Sequence, residues 1–123
     1  MKVVLDVGQC RPDHIAISKL IESVGASIER IALSKEAVDL LKQKKYDLVL
    51  VNRKIDKDYT DGVELVKMMQ ADPELKSIPV MLVSNYPEAQ QDAVQLGAVM
   101  GFGKNALSKP ETAERLKQAL NIK

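Results

Sequence analysis

The sequence predicts an open α/β sheet of five parallel strands with helices on both faces. Three observations predict it. Short apolar runs alternate five times with stretches of helical spacing. The third run, Asp47-Leu48-Val49-Leu50-Val51-Asn52, is apolar almost throughout, which suits a strand buried on both faces. Glycine or proline marks the junctions, at Gly8, Gly25, Gly62, Pro79, Gly97 and Pro110.

Each element follows from local pattern. Val3-Val4-Leu5-Asp6-Val7 reads as a short buried strand broken by Gly8. From Pro12 to Val24, Ile17, Leu20, Ile21 and Val24 keep helical spacing, and Gly25 stops the helix. Ser27 to Leu33 forms a second strand, placed near an edge because Glu29 and Arg30 interrupt it. Ser34 is the expected N-cap of a second helix containing Ala37, Val38, Leu40 and Leu41. The strand ending at Asn52 comes third. A third helix, about Val63 to Gln70, buries Val63, Val66 and Met69 or a neighbouring stripe. Ile78-Pro79 leads into strand four, Val80-Met81-Leu82-Val83-Ser84, followed by a helix from about Pro87 to Leu96. Strand five is about Val99 to Gly103. Ser108-Lys109-Pro110-Glu111 reads as a capping box with proline in the first turn of the last helix.

Five such units force right-handed crossovers and a parallel sheet. The flavodoxin-like order 2-1-3-4-5 follows, with its crevice at the switch point between strands one and three. Residues at the carboxyl ends of the strands line that crevice: Val7 to Cys10, Asn52 and Arg53, Ser84 and Asn85, Gly103 and Lys104.

Bulk properties narrow the function. The 123 residues suit one domain, residues 1–123, with a real core. Apolar residues at 46% and charged residues at 28% exclude a disordered chain, and no apolar run reaches membrane-spanning length. A net charge of +1 gives no electrostatic case for nucleic acid or a membrane surface. The lone Cys10 cannot form an internal disulfide. The start, Met1-Lys2-Val3-Val4-Leu5, turns polar too soon for a signal peptide, so a cytoplasmic setting is expected.

Several segments together resemble the receiver domain of two-component response regulators over essentially the whole length. They are Tyr46-Asp47-Leu48-Val49-Leu50-Val51 followed by Asp61-Gly62-Val63-Glu64-Leu65, then Ala71-Asp72-Pro73-Glu74-Leu75-Lys76-Ser77-Ile78-Pro79-Val80 running into Leu82-Val83-Ser84, and Gly97-Ala98 with Lys104 seven residues on. The resemblance implies an acid pair after strand one, a phospho-accepting aspartate ending strand three, a hydroxyl ending strand four and a lysine ending strand five. Clustered carboxylates would hold Mg²⁺. Metal, lysine and hydroxyl would then neutralise the phosphoryl group during in-line transfer.

Carried over position by position, that set is incomplete. The hydroxyl falls on Ser84 and the lysine on Lys104, but the phospho-acceptor falls on Asn52. The acid pair falls on Gly8 and Gln9 counting back from Gly25, or on Val7 and Gly8 counting from Lys2, and neither count gives an acid. The aromatic of strand five falls on Gly101, with Phe102 one place along. The loop after Asn52 is lengthened, with Lys54-Ile55-Asp56-Lys57-Asp58 where the family has Met-Pro. The mapped pocket therefore keeps Lys104, gains Arg53 and has no carboxylate, so it repels a dication and tolerates an anion.

Plainer readings apply elsewhere. Asp6 lies one or two residues early for the acid pair, and a one-residue shift turns a strand side chain to the other face; Lys104 or backbone groups are its expected partners. Lys109-Pro110 offers a rival lysine, but spacing from Gly97 favours Lys104. Asp56, Asp58 and Asp61 lack the ligand series of a calcium loop. His14 has no second ligand at metal spacing, so a surface or capping role is expected. Cys10 reads as a partly buried spectator.

The expected function is a receiver-like signalling module that is not phosphorylated, has no enzymatic role and needs no cofactor. It would bind a protein partner: a histidine kinase, an output domain or another signalling protein. Tyr86-Pro87 and Phe102, expected to be exposed near the fourth helix and fifth strand, are candidate anchors. Two alternatives stay open. One is a sensor for a small anion held by Asn52, Arg53, Ser84, Lys104 and the Gly8-Gln9 turn. The other is a response regulator phosphorylated on a displaced aspartate.

Overall fold

The computed structural model describes residues 1–123. Five parallel strands lie in the order β2-β1-β3-β4-β5. They are β1 (Val3–Val7), β2 (Ser27–Ile31), β3 (Leu48–Asn52), β4 (Val80–Val83) and β5 (Val99–Phe102). The helices are α1 (Arg11–Ser23), α2 (Ser34–Gln43), α3 (Val63–Gln70), α4 (Pro87–Gln95) and α5 (Pro110–Leu120), with one 3₁₀ turn at Lys104–Ala106.

Side-chain alternation on the central strands divides the core into two layers. Leu48 and Leu50 of β3 face Ile17 and Ile21 of α1 and Leu116 and Leu120 of α5. Val49 and Val51 face Ala37 and Leu41 of α2, Leu65, Val66 and Met69 of α3, and Ala93 of α4. Both faces of the sheet are thus covered, as the unbroken apolar run of β3 requires. The edge strand β2 carries the interrupting charges. Its partner β1 sits inside the sheet, paired with β2 and β3.

Three local expectations need correction. Leu33, not Ser34, is the N-cap of α2: Leu33 is extended, Ser34 is already helical, and its hydroxyl is buried with no partner. The capping box at α5 does not form. Pro110 holds Lys109 in the extended conformation, so the N-cap moves one residue past Ser108 and no side chain caps the helix. The residue three after that cap is Thr112, whose hydroxyl donates to Ala106 O at 2.7 Å, tying α5 to the 3₁₀ turn.

The third concerns β5. Met81 pairs with Val99 and Val83 with Phe102, so Met100 and Gly101 together oppose Leu82. This bulge adds a residue and resets which side chains face inward. Phe102 is therefore only 3% exposed and packs in the α1/α5 layer, whereas Met100 is 41% exposed. Phe102 is a core residue and not a surface anchor.

Candidate functional site

The carboxyl ends of β1, β3, β4 and β5 meet where the topology places the crevice. Gly8 follows β1 with φ +79°, a conformation that favours glycine. Its carbonyl accepts a hydrogen bond from Asp56 N at 2.9 Å and another from Asn52 Nδ2 at 3.2 Å. A Cβ on Gly8 would lie 2.4 Å from Ile55 Cδ1 and 3.2 Å from Ile55 Cα. Ile55 comes from the lengthened β3–α3 loop and is fully buried. An apolar side chain thus fills the space into which a residue at the first acid-pair position would project. Gln9 is also buried, and neither atom of its side-chain amide has a partner.

Asn52 uses both ends of its amide. Nδ2 donates to Gly8 O, and Oδ1 accepts from Lys104 Nζ at 3.3 Å. It therefore ties the end of β3 to the ends of β1 and β5. The stronger partner of Lys104 is Asp13, at 2.7 Å. Lys104 donates a charge-assisted hydrogen bond that holds the Asp13 carboxyl below the usual carboxylate range.

A cavity of about 250 Å³ lies beside these groups, lined by Asn52, Arg53, Lys54, Ser84, Tyr86 and Lys104 among others, with no carboxylate. Lys54 is paired with Asp61 at 2.7 Å. The Arg53 guanidinium lies 5.0 Å from the centre of the Tyr86 ring. Ser84 Oγ accepts a hydrogen bond from Tyr86 N at 3.1 Å, which pins the backbone under that ring. The structure thus brings Asn52, Arg53, Ser84, Lys104 and Tyr86 together. Gly8 and Gln9 lie on the far side of Asn52, outside the cavity.

The divalent cation expected of a phosphorylated receiver does not suit these residues. Gly8 and Gln9 offer no charge, Asn52 is neutral, and Ile55 occupies the space in front of Gly8. No group of three or more His, Cys, Asp or Glu residues is arranged to hold a metal ion.

Asp6 is no substitute acid. It is fully buried, on the side of the sheet that carries α1 and α5, and His14 Nδ1 lies 2.7 Å from its Oδ2. Its partner is thus neither Lys104 nor the backbone. Burial pushes its pKa up to about 6, against the lowering effect of the His14 hydrogen bond. His14, expected in a surface or capping role, is instead half-buried in the first turn of α1, facing Asp6. Ser18 Oγ donates to His14 O at 2.8 Å and lies 3.2 Å from His14 Nε2.

Two residues that shape the site were missed in the sequence. Ile55 is an aliphatic residue set among the charges of its loop, and that contrast was the available signal. Gln90 is buried on α4. Its Nε2 donates to Leu82 O at 2.8 Å and Ser84 O at 3.1 Å, and its Oε1 accepts from Gly101 N at 3.0 Å. Gly101 cannot carry the missing aromatic, because a Cβ there would lie 2.1 Å from Leu82 O.

Residues 14–121 match the family model described as response regulator receiver domain. The chain belongs to the receiver family. The match begins at His14, past the β1–α1 loop where the departures at Gly8 and Gln9 lie. Receivers are generally signalling modules that work with proteins such as kinases and output domains. Among relatives, the chain is 28% identical to the polar-differentiation response regulator DivK of Brucella anthropi, over 82% of this chain and 81% of that protein. Among solved structures, it resembles the receiver domain of a DNA-binding response regulator from Colwellia psychrerythraea at TM-score 0.80 and 22% identity, covering 98% of this chain and 99% of that one. It also resembles the chemotaxis protein CheY4 of Vibrio cholerae at TM-score 0.71 and 23% identity, covering 98% and 97%. At those identities the structural likeness concerns the fold.

Proposed function

We propose that residues 1–123 form one receiver domain that signals by protein–protein contact and is not switched by aspartyl phosphorylation. The observation that carries this reading is Ile55 packed against Gly8, beside an amide at position 52. In-line transfer to a receiver needs a carboxylate to attack phosphorus and a dication to neutralise the phosphoryl oxygens. Asn52 is a poor nucleophile, and the space beside it is apolar where carboxylates would hold the metal. Gln90 supports the same reading from the other side. It bridges α4 to β4 and β5 beside the position of the switching aromatic, so the α4–β5 surface is held in one arrangement. The domain carries no catalytic role in this reading. A cytoplasmic setting fits the lone Cys10, and no helix is long and apolar enough to cross a membrane.

The test is incubation with Mg²⁺ and acetyl phosphate, read by intact mass beside a receiver known to be labelled. No added phosphoryl group is expected. Asn52→Asp alone should also remain unlabelled, and so should Gly8→Asp combined with Asn52→Asp, because Ile55 still blocks the acid position. Stable, Mg²⁺-dependent addition of one phosphoryl group to the natural chain would overturn the reading in favour of a displaced aspartate.

A second reading, a small-anion sensor, is favoured by one observation: three cations and no carboxylate line the cavity. Inorganic phosphate at millimolar concentration should then move the amide resonances of Arg53, Ser84 and Lys104. Unmoved resonances would remove it.

A further inference from the structure

The charge of the cavity identifies what it can hold. Arg53, Lys54 and Lys104 line it, but Lys54 is neutralised by Asp61 and Lys104 by Asp13. One uncompensated positive charge remains, on Arg53. Its guanidinium makes no salt bridge and no side-chain hydrogen bond within the molecule. It lies over the Tyr86 ring, 5.0 Å from its centre, and the Tyr86 backbone is pinned through Ser84. A guanidinium with no partner of its own offers its N–H donors as a planar fork, and that fork matches a planar carboxylate. A single free charge also suits a monoanion better than a doubly charged phosphate.

An exposed ion pair alone retains a small carboxylate only weakly, so further contacts must come from the chain that bears it. The cavity offers them. Ser84, Asn85 and Tyr86 also line a neighbouring one of about 310 Å³ that runs over β5 between α4 and α5. Pro87 and Met100 form apolar parts of that groove, and Lys109 and Arg115 line it against a single carboxylate, Glu111. Tyr86 at the junction is 55% exposed. Arginine and tyrosine beside an apolar groove are the residue types that dominate binding at protein interfaces.

We propose that the strand-end cavity is a socket for an aspartate or glutamate side chain on an acidic segment of a partner protein. Arg53 is the fork, and the groove from Tyr86 to Met100 receives the flanking apolar residue. The proposal rests on the reading of the domain as a protein-binding module and names the chemistry of its partner.

The probe is a library of random peptides displayed on phage and selected on the immobilised protein. The enriched pool should carry Asp or Glu next to an aliphatic or aromatic residue. A synthetic peptide from that pool should bind the natural chain and lose about ten-fold or more in affinity to Arg53→Gln, the scale of one charge-assisted hydrogen bond. Changing the peptide's acid to its amide should cost the same, and the two changes together little more, because both remove one contact. Arg53→Lys should restore binding only in part, since it keeps the charge and loses the fork. Tyr86→Leu should also weaken binding, and circular dichroism of each variant checks that it is folded. A pool without acidic enrichment, or peptides indifferent to Arg53→Gln, overturns the proposal. Arg53-dependent binding of inorganic phosphate or acetate without acidic peptides also overturns it and makes the cavity a free-anion site. Phosphorylation by acetyl phosphate would defeat the functional reading, whereas indifference to Arg53 defeats only the socket.

Discussion

The two ends of the crevice have departed from a phosphorylated receiver in opposite directions. At β1 and β3, where the family places charge, an aliphatic side chain has moved in, with Ile55 against Gly8. At β4 and β5, where the family places an aromatic ring, a polar side chain has moved in, with Gln90 bonded to Leu82, Ser84 and Gly101. One end has lost polarity and the other has gained it, and at neither is there room for the side chain the family places there. A family position can therefore be closed by an apolar plug or by a satisfied polar bridge. The bridge is the more exacting solution, because each buried group in it needs its partner.

The comparison can be broken most severely at the polar end. Gly101→Phe would drive a side chain into the Leu82 carbonyl and should destabilise the fold by more than about 4 kcal/mol, read by urea unfolding. Gln90→Leu is milder. It strands the Gly101 N–H and removes a donor from several carbonyls, and about 3 kcal/mol should be lost. Amide exchange should quicken at Gly101 and in α4, while β1 and β3 stay protected.

The plugged end keeps one buried carboxyl behind it, and pH sharpens the contrast there. The pKa of Asp6 is raised from 3.8 to about 6 by burial, so the folded chain holds this proton more tightly than the unfolded chain does. The Asp6 contribution is fully present below about pH 4 and is lost as pH rises through about 6, by roughly 2–3 kcal/mol. Asp6→Asn should flatten that part of the profile in urea unfolding across this range. The smallest effect is expected at Arg53. Arg53→Gln should change stability by less than about 1 kcal/mol, because its side chain makes only the contact with the Tyr86 ring and its backbone bonds are kept. A larger loss would mean that Arg53 belongs to the fold rather than to recognition.

The layout of the sheet was legible because it depends on local periodicity. The run from Leu48 to Val51 announces a strand buried on both sides, and the two layers observed around it follow. Asn52, Ser84 and Lys104 were legible as neighbours for the same reason, since strand ends converge in this topology. Phe102 was misplaced because a bulge inserts one residue, and parity along β5 cannot be counted through it. The Asp6–His14 pair and the Gln90 bridge were invisible because they join residues on different elements whose side chains meet only once the sheet is packed. Ser34 and Ser108 fit the capping pattern, yet neither caps, because the backbone entered each helix one residue away from where the pattern placed it.

The bulge in β5 has one more consequence. β5 is an edge strand, and an edge with free amides and carbonyls is a template for pairing with another chain. At Gly101 both groups are already taken within the molecule: Gln90 accepts from its N–H, and Arg115 donates to its carbonyl. A foreign strand sliding along β5 would meet a gap in the ladder there. The device that fixes this edge also makes it a poor nucleus for aggregation.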